Sequence, residues 1–116
     1  MIRVLFWFHI GFLKVLSQLT TTGNITRSEF NNRFDYLKQH NHEYFTIVIE
    51  DLVNQKIVGA GTIFVERKFI HHNGLVGHIE DIVTDSACRG LNLGKIIIES
   101  LKYIGEKTGC YKSLFF

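Results

Sequence analysis

The sequence predicts an α/β fold, a mixed sheet with flanking helices in the order α-α-β-β-β-α-β. Two segments rich in β-branched and aromatic residues, 44–50 and 56–67, are separated by a polar stretch typical of a hairpin turn. A third such segment, 77–84, leads through a loop into an apolar helix and a further strand, which indicates a strand–helix–strand crossover. A chain of 116 residues has room for a single domain, residues 1–116.

The helices are predicted from the spacing of apolar residues and from end signals. The first helix starts at Gly11 and stops at the threonine cluster of residues 20–23. The second covers residues 27–39, because Thr26 and Glu29 form a capping box before it. The third ends at Gly109, a natural C-cap. Glycines 59 and 61 inside the second strand predict a bend or a close approach of backbone.

Composition and charge exclude several classes of protein. Apolar residues make up 46% and charged residues 21% of the chain, which excludes a disordered tail or a coiled coil. Thirteen Lys and Arg stand against 11 Asp and Glu without a run of like charges, so no nucleic-acid partner is expected. The two cysteines are expected to be free thiols, and the chain is expected to be cytoplasmic.

The apolar run of residues 4–13, which follows Arg3, has two interpretations. It is too short to span a bilayer, which needs about 20 apolar residues. A signal peptide, cleaved or anchoring, is one interpretation, although His9 interrupts the run, Lys14 ends it and no small-residue cleavage site follows. The preferred interpretation is a helix or strand that packs on the core, so no membrane association is expected.

The most informative segment, residues 89–95 (RGLNLGK), lies between the third strand and the apolar helix. Small residues at such a turn leave backbone N–H groups facing a phosphate at the helix N-terminus, and Arg89 and Lys95 can pair with phosphate oxygens. It is not a Walker A loop, because Ile96 follows Lys95, and it lacks the Rossmann glycine pattern. Taken alone, these residues are more often explained by a turn softened by glycine before a helix, without a ligand.

The flanking segments make a family resemblance specific. The run Arg89-x-x-Asn92-x-Gly94 is similar to the Arg/Gln-x-x-Gly-x-Gly/Ala pattern of the GNAT N-acetyltransferases, with Asn where the middle Gly is usual. The surrounding runs KFIH, GHIEDIV, CRG, LGK and GCYK recur in this order in one branch of that family, the glucosamine 6-phosphate N-acetyltransferases. The resemblance covers roughly residues 12–112.

The resemblance implies transfer of an acetyl group from acetyl-CoA to the amine of glucosamine 6-phosphate, on the route to UDP-N-acetylglucosamine, without a metal. The residues that it implies for acetyl-CoA are Ile82, Val83, Thr84, Arg89, Gly90, Leu91, Asn92, Leu93, Gly94 and Lys95. Those that it implies for the sugar phosphate are Thr20, Lys68, Phe69, Ile70, His71, Glu80, Asp81, Tyr111 and Lys112.

Glu80 and Asp81 are the candidate catalytic residues. In the family this pair lines the amino-sugar site, and either carboxylate could act as general base through water. Adjacent residues of a regular strand point to opposite faces, so one of them is expected to face the sugar. Without the resemblance the two would be solvated acids of a surface strand. His71, His72 and His78 would then be ordinary histidines, or a metal site with Cys88.

The chain departs from the family pattern at both ends and is expected to be truncated there. Residues 1–10 do not match the family's first strand, and residues 113–116 do not match its continuation. The C-terminal strands of the family carry its homodimer interface and a tyrosine that protonates the leaving thiolate. Two alternatives therefore stay open beside an active enzyme. One is a catalytically impaired acetyl-CoA-binding fragment or partner of a full-length subunit; the other, less favoured, is an acetyltransferase acting on a protein amine.

Overall fold

The computed structural model describes residues 11–115. Three helices, α1 (Phe12–Leu16), α2 (Arg27–Gln39) and α3 (Leu93–Thr108), flank a four-stranded sheet of β1 (Tyr44–Asp51), β2 (Lys56–Arg67), β3 (Leu75–Thr84) and β4 (Cys110–Phe115). A helical turn at Ile70–Asn73 and a 3-10 helix at Ser86–Cys88 complete the elements. The interpretations of residues 4–10, and the position of Phe116, lie outside the described residues.

The main elements follow one another along the chain in the predicted order α-α-β-β-β-α-β, and the sheet has the strand order β1-β2-β3-β4. The first three strands are antiparallel neighbours, and β4 runs parallel to β3 after the crossover through α3. Strand β3 begins at Leu75, two residues earlier than the sequence predicts, because Leu75 and Val76 pair with Arg67 and Glu66 of β2. Residues 68–74 therefore form the hairpin tip between β2 and β3, and β4 begins beside this tip.

Each face of the sheet holds its own apolar cluster. On one face, Ile63 and Ile79 of the sheet are fully buried against Ile97 and Leu101 of α3. On the other, Val15 of α1 packs in a cluster with buried residues of the sheet, namely Ile57, Ala60 and Val83. Each buried Ile, Leu or Val among them contributes about 1.5–3 kcal/mol by leaving water. None of the helices in residues 11–115 is long and apolar enough to cross a bilayer.

The predicted start of α2 and the predicted end of α3 are confirmed by their caps. At the start of α2, the Thr26 hydroxyl accepts the Glu29 amide at 3.1 Å, and the Glu29 carboxylate accepts the Thr26 amide at 2.9 Å. Helix α3 ends at Gly109, whose φ of 101° is the left-handed conformation that glycine adopts without strain. Helix α1 is shorter than predicted; hydrogen-bonded turns carry the chain on to Leu19.

A β-bulge interrupts β3 at the two candidate catalytic carboxylates. Ala60 pairs with Val83 and Thr62 with Glu80, so Asp81 and Ile82 together oppose the single residue Gly61. Asp81 has a left-handed φ of 55°. Ile82 consequently packs on the α3 face, the face that also holds Ile79. The opposite-face expectation for Glu80 and Asp81 assumed regular alternation, which the bulge breaks; both side chains are exposed.

Gly61 is required because α3 packs directly on β2, which confirms the predicted close approach. A Cβ atom at this position would lie 2.5 Å from Cγ2 of Ile97 and 2.7 Å from Cδ1 of Ile82. The backbone φ of Gly61 is not left-handed, so it is space and not conformation that excludes a side chain. The bulge and the helix therefore meet at one glycine.

We expect Gly61→Ala to lower the free energy of unfolding by about 1–3 kcal/mol, because the methyl group forces α3 and Ile82 away from the sheet. Urea unfolding followed by circular dichroism measures the change. Val53→Ala is the control, since Val53 is 91% exposed in the β1–β2 turn and its truncation should leave stability nearly unchanged. Equal stability of the two variants would contradict the close packing of α3 on Gly61.

Candidate functional site

The loop that joins β3 to α3 is anchored at its first residue, Asp85. The Asp85 amide donates to the Val58 carbonyl at 2.7 Å, and the Asp85 carboxylate accepts the Ala87 amide at 3.0 Å. The Lys56 ammonium lies 3.7 Å from the second carboxylate oxygen. The pKa of Asp85 is held below its usual range. The largest cause is the hydrogen bond from the Ala87 amide, followed by a hydrogen bond from the Gln18 side chain and by the charge of Lys56.

A second anchor comes from the turn that follows α1. The Ser86 amide donates to the side-chain oxygen of Gln18 at 2.9 Å, across 68 residues of sequence. Sequence reasoning missed both anchors. The Asp85-Ser-Ala87 run carries a local signal, since Asp favours such a turn. The sequence around Gln18 contains no such signal, because Gln18 and Ser86 come together only when α1 packs on the sheet.

Beyond these anchors the loop delivers unpaired amides to the start of α3. Gly90 and Asn92 turn the chain with left-handed φ angles of 85° and 58°. Within residues 11–115, the amides of Leu93, Gly94 and Lys95 donate to no acceptor. A helix start with unpaired amides and the positive end of the helix dipole favours an anion.

Gly94 has no explanation within the described chain. A Cβ atom there would meet nothing within 4 Å, and its φ is not left-handed, so neither packing nor conformation requires glycine. Side chains near a helix start point back toward the N-terminus. A methyl group at Gly94 would therefore occupy the space in front of the unpaired amides. The residues present thus fit a group that approaches this backbone closely.

The cations predicted beside this loop are available to a ligand. Arg89 is exposed and has no ion-pair partner among residues 11–115. Lys95 lies 4.0 Å from Glu99 on the outer surface of α3, with both side chains more than half exposed. Such exposed pairs are weak, so Lys95 can turn to a ligand at little cost.

One side of the second half of β3 is open along the strand that leads to this loop. Strand β4 pairs with β3 only from Leu75 to Ile79. Among the described residues, Glu80–Thr84 therefore have a neighbouring strand only on the β2 side. The predicted residues Ile82, Val83 and Thr84 lie on this stretch, directly before the anchored loop.

Several of the predicted substrate residues come together at the hairpin tip. The ring centroids of His71 and Tyr111 are 4.2 Å apart, and the Tyr111 ring fills the space where a Cβ of Gly74 would lie. The Lys112 ammonium lies 5.9 Å from the centre of the Tyr111 ring. The tip side chains Phe69 and Ile70 are 95% and 60% exposed. The tip and the start of β4 thus form one surface.

Lys68 is held in a chain of contacts on the same end of the sheet. Its ammonium donates to one oxygen of Glu66 at 3.2 Å, and the other oxygen lies 2.9 Å from Nε2 of His78. The hydrogen bond from His78, and then that from Lys68, keep the pKa of Glu66 below its usual range. His78 thus hydrogen-bonds a carboxylate of the neighbouring strand. Residues 11–115 contain no cluster of three or more His, Cys, Asp or Glu able to hold a metal ion.

Glu80 and Thr20 lie on the side of the sheet that carries α1, and Asp81 is exposed at the bulge. Glu80 is paired in register with Thr62, whose hydroxyl is 2.9 Å from that of Thr46. Thr20 lies just after α1, exposed, with its amide donating to the Leu16 carbonyl at 3.2 Å. The structure brings His71, Tyr111 and Lys112 together and shows no contact between them and Thr20.

We expect the stabilising charge of Asp85 to be lost in acid. Because folding lowers the pKa of this carboxylate, it contributes stability above the pKa of the unfolded chain, about 3.9, and that contribution disappears as the pH falls through the lower folded value. Wild-type protein should therefore be more stable than Asp85→Asn at about pH 6, and the difference should shrink toward pH 2. Urea unfolding at several pH values measures it; a difference that is constant with pH contradicts the charge role.

Comparison with known proteins identifies the family. Residues 12–116 match the model of the acetyltransferase (GNAT) family. Over 102 residues the chain is 41% identical to glucosamine 6-phosphate N-acetyltransferase of Arabidopsis thaliana, with 88% of this chain and 68% of that protein covered. It is 47% identical over 105 residues to glucosamine 6-phosphate N-acetyltransferase 1 of Dictyostelium discoideum, covering 90% of this chain and 66% of that one.

A further relative and a solved structure agree. The probable glucosamine 6-phosphate N-acetyltransferase of Drosophila melanogaster is 44% identical over 88% of this chain, which spans only 46% of that protein. The crystal structure of the Arabidopsis thaliana enzyme superposes with a TM-score of 0.95 at 36% identity, covering 99% of this chain and 78% of that chain. The chain thus spans between about half and two thirds of the length of these curated relatives. With nearly its whole described length accounted for by one family model and one fold, this chain belongs to the GNAT family of acetyltransferases.

Proposed function

We propose that the chain transfers the acetyl group of acetyl-CoA to the amine of glucosamine 6-phosphate, giving N-acetylglucosamine 6-phosphate for UDP-N-acetylglucosamine synthesis in the cytoplasm. The observation that carries the proposal is the row of unpaired amides at Leu93–Lys95, which follows the half-open strand β3 along the chain. The names of the relatives support the choice of acceptor, because three of them act, by name, on glucosamine 6-phosphate.

Acetyl-CoA would be held by backbone more than by side chains. Its pyrophosphate would lie against the loop and first turn of α3, residues 90–95, with Arg89 beside it. The space above Gly90 and Gly94 supports this position, because within residues 11–115 a Cβ built on either would meet no atom beyond its own local backbone within 4 Å. Ile82, Val83 and Thr84 would offer backbone groups of the open strand to the pantetheine arm and the thioester.

The sugar phosphate would lie on the hairpin-tip side of the sheet. Lys68 and Lys112 would face its phosphate, and His71 with Tyr111 would border it, since the two rings already form one wall. Phe69 and Ile70 supply the exposed apolar part of the tip. Glu80 and Asp81 would face the amino group from the bulge, and Thr20 would contact the sugar from the end of α1.

The chemistry needs positioning and charge stabilisation from this chain. The amine must lose a proton as its nitrogen attacks the thioester carbonyl, and the C–S bond breaks as CoA leaves as a thiolate. A backbone N–H of the bulged strand can stabilise the negative charge that develops on the carbonyl oxygen. Glu80 or Asp81, acting through water, would take the amine proton, a contribution of about 10²–10⁴-fold for a positioned base.

Product formation tests the proposal. Purified full chain is incubated with acetyl-CoA and glucosamine 6-phosphate, and the acetylated sugar is detected by mass. We expect N-acetylglucosamine 6-phosphate, because the residues proposed to bind acetyl-CoA and those proposed to bind the sugar phosphate are both present in the described part of the chain. No product from a folded chain that still binds acetyl-CoA would overturn the enzymatic proposal and favour the second candidate, an acetyl-CoA-binding partner of a full-length subunit. The intact amide row at the start of α3 is the observation that favours this second candidate.

We expect Gly94→Ala to raise the dissociation constant of acetyl-CoA on the order of tenfold, as for loss of one hydrogen bond to a charged group. The reason is that the methyl group enters the space in front of the unpaired amides. Folding stability should not fall, since the position is open and alanine favours helix.

Isothermal titration calorimetry measures this affinity. Lys102→Ala is the matched control, an exposed position in the middle of the same helix, and should bind acetyl-CoA as the wild type does. Unchanged affinity in Gly94→Ala would contradict a pyrophosphate at this helix start.

A further inference from the structure

We propose that Glu66, itself fixed by His78, is a positioning residue that directs the ammonium of Lys68 toward the phosphate of the sugar. The inference rests on the proposed function, because only there does Lys68 contact a substrate. None of the site patterns in the sequence pointed to Glu66 or His78 for this role. It follows from a chain of contacts that crosses from β3 to β2 and ends at the hairpin tip.

His78, at one end of this series of contacts, is held firmly. The imidazole of His78 stacks on the ring of Phe64, its cross-strand partner, with centroids 4.8 Å apart and planes 12° apart. Only 20% of the His78 side chain is exposed. An ionised carboxylate can only accept, so Nε2 of His78 carries the proton that it donates to Glu66 at 2.9 Å. The orientation of Glu66 is therefore set by a ring packed on the sheet.

The near end is the flexible group that needs orienting. The Lys68 side chain is a flexible stem of four carbons that ends in an ammonium group with three N–H donors. Glu66 accepts one of these donors at 3.2 Å. Two donors remain for a ligand, and 27% of the side chain is exposed. The backbone of Lys68 is fixed separately, because its amide donates to the Gly74 carbonyl at 2.9 Å. Only the side chain of Lys68 therefore remains for Glu66 to position.

Two effects of Glu66 oppose each other, and they predict opposite signs. Its negative charge repels a phosphate, so simple electrostatics predicts tighter binding when it is removed. Its hydrogen bond keeps the ammonium in one place, so positioning predicts weaker binding when it is removed. We infer that positioning dominates, because the carboxylate charge is already matched by Lys68 on one oxygen and by a donor from His78 on the other.

A double-mutant cycle on the full chain tests the inference. Glucosamine 6-phosphate is titrated calorimetrically into wild type, Glu66→Ala, Lys68→Ala and the double variant. We expect Glu66→Ala to raise the dissociation constant on the order of fivefold, in the range of couplings between contacting residues. In the Lys68→Ala background the same change should have no further effect. In turnover assays the change should appear in KM for the sugar phosphate, with kcat and KM for acetyl-CoA retained.

Glu43→Ala is the matched control. Glu43 forms an ion pair of similar length, 3.1 Å, with Arg67, the residue before Lys68. Neither Glu43 nor Arg67 takes part in the contacts between His78, Glu66 and Lys68. This variant should bind the sugar phosphate as the wild type does. Tighter or unchanged binding in Glu66→Ala, or an effect that persists without Lys68, overturns the positioning role and leaves the proposed function intact. A wild-type chain that binds acetyl-CoA but no glucosamine 6-phosphate overturns the proposed function and the role together.

Discussion

The contact between α3 and the glycine-containing middle of β2 determines where the functional groups of this chain lie. Gly61 allows the helix to approach the sheet so closely that Ile97 and Leu101 lie against its backbone. The same residue faces the bulge of β3, which brings Ile82 to the helix side and exposes Glu80 and Asp81. A larger residue at Gly61 would separate the helix from the strand. The position of α3 on the sheet, and with it the position of its unpaired first amides, therefore depends on the small size of Gly61.

Interactions that act within a few residues were predictable from the sequence. The capping box of Thr26 and Glu29 gave the start of α2 correctly, and the apolar repeat after it gave the end, because both signals are local. The β-branched runs gave the strands within two residues, and the crossover followed from the order of elements. In the candidate site, the same local reasoning located the turn before α3. The resemblance supplied the remaining candidate residues, and their roles stay predictions.

Interactions between distant segments were not predictable in this way. The bulge at Asp81 depends on pairing with Gly61, so strand periodicity missed it. Gln18 reaches Ser86 only after α1 has packed on the sheet. Glu66 and His78 belong to different strands, and their contact requires the register of β2 and β3. Each is a long-range contact between polar groups, a class for which composition and spacing contain no signal.

The hairpin tip has a consequence for the rate at which the chain folds. His71, His72 and Asn73 all adopt left-handed φ angles between 53° and 58°, a conformation that costs about 1–2 kcal/mol for each residue that is not glycine. The tip is closed by its own hydrogen bonds and by the Tyr111 ring, which packs on His71 and Gly74. Tyr111 belongs to β4, which follows α3 in the chain. The strained tip therefore takes its outer support from a strand that lies beyond the crossover in sequence, a non-local contact of the kind that slows folding.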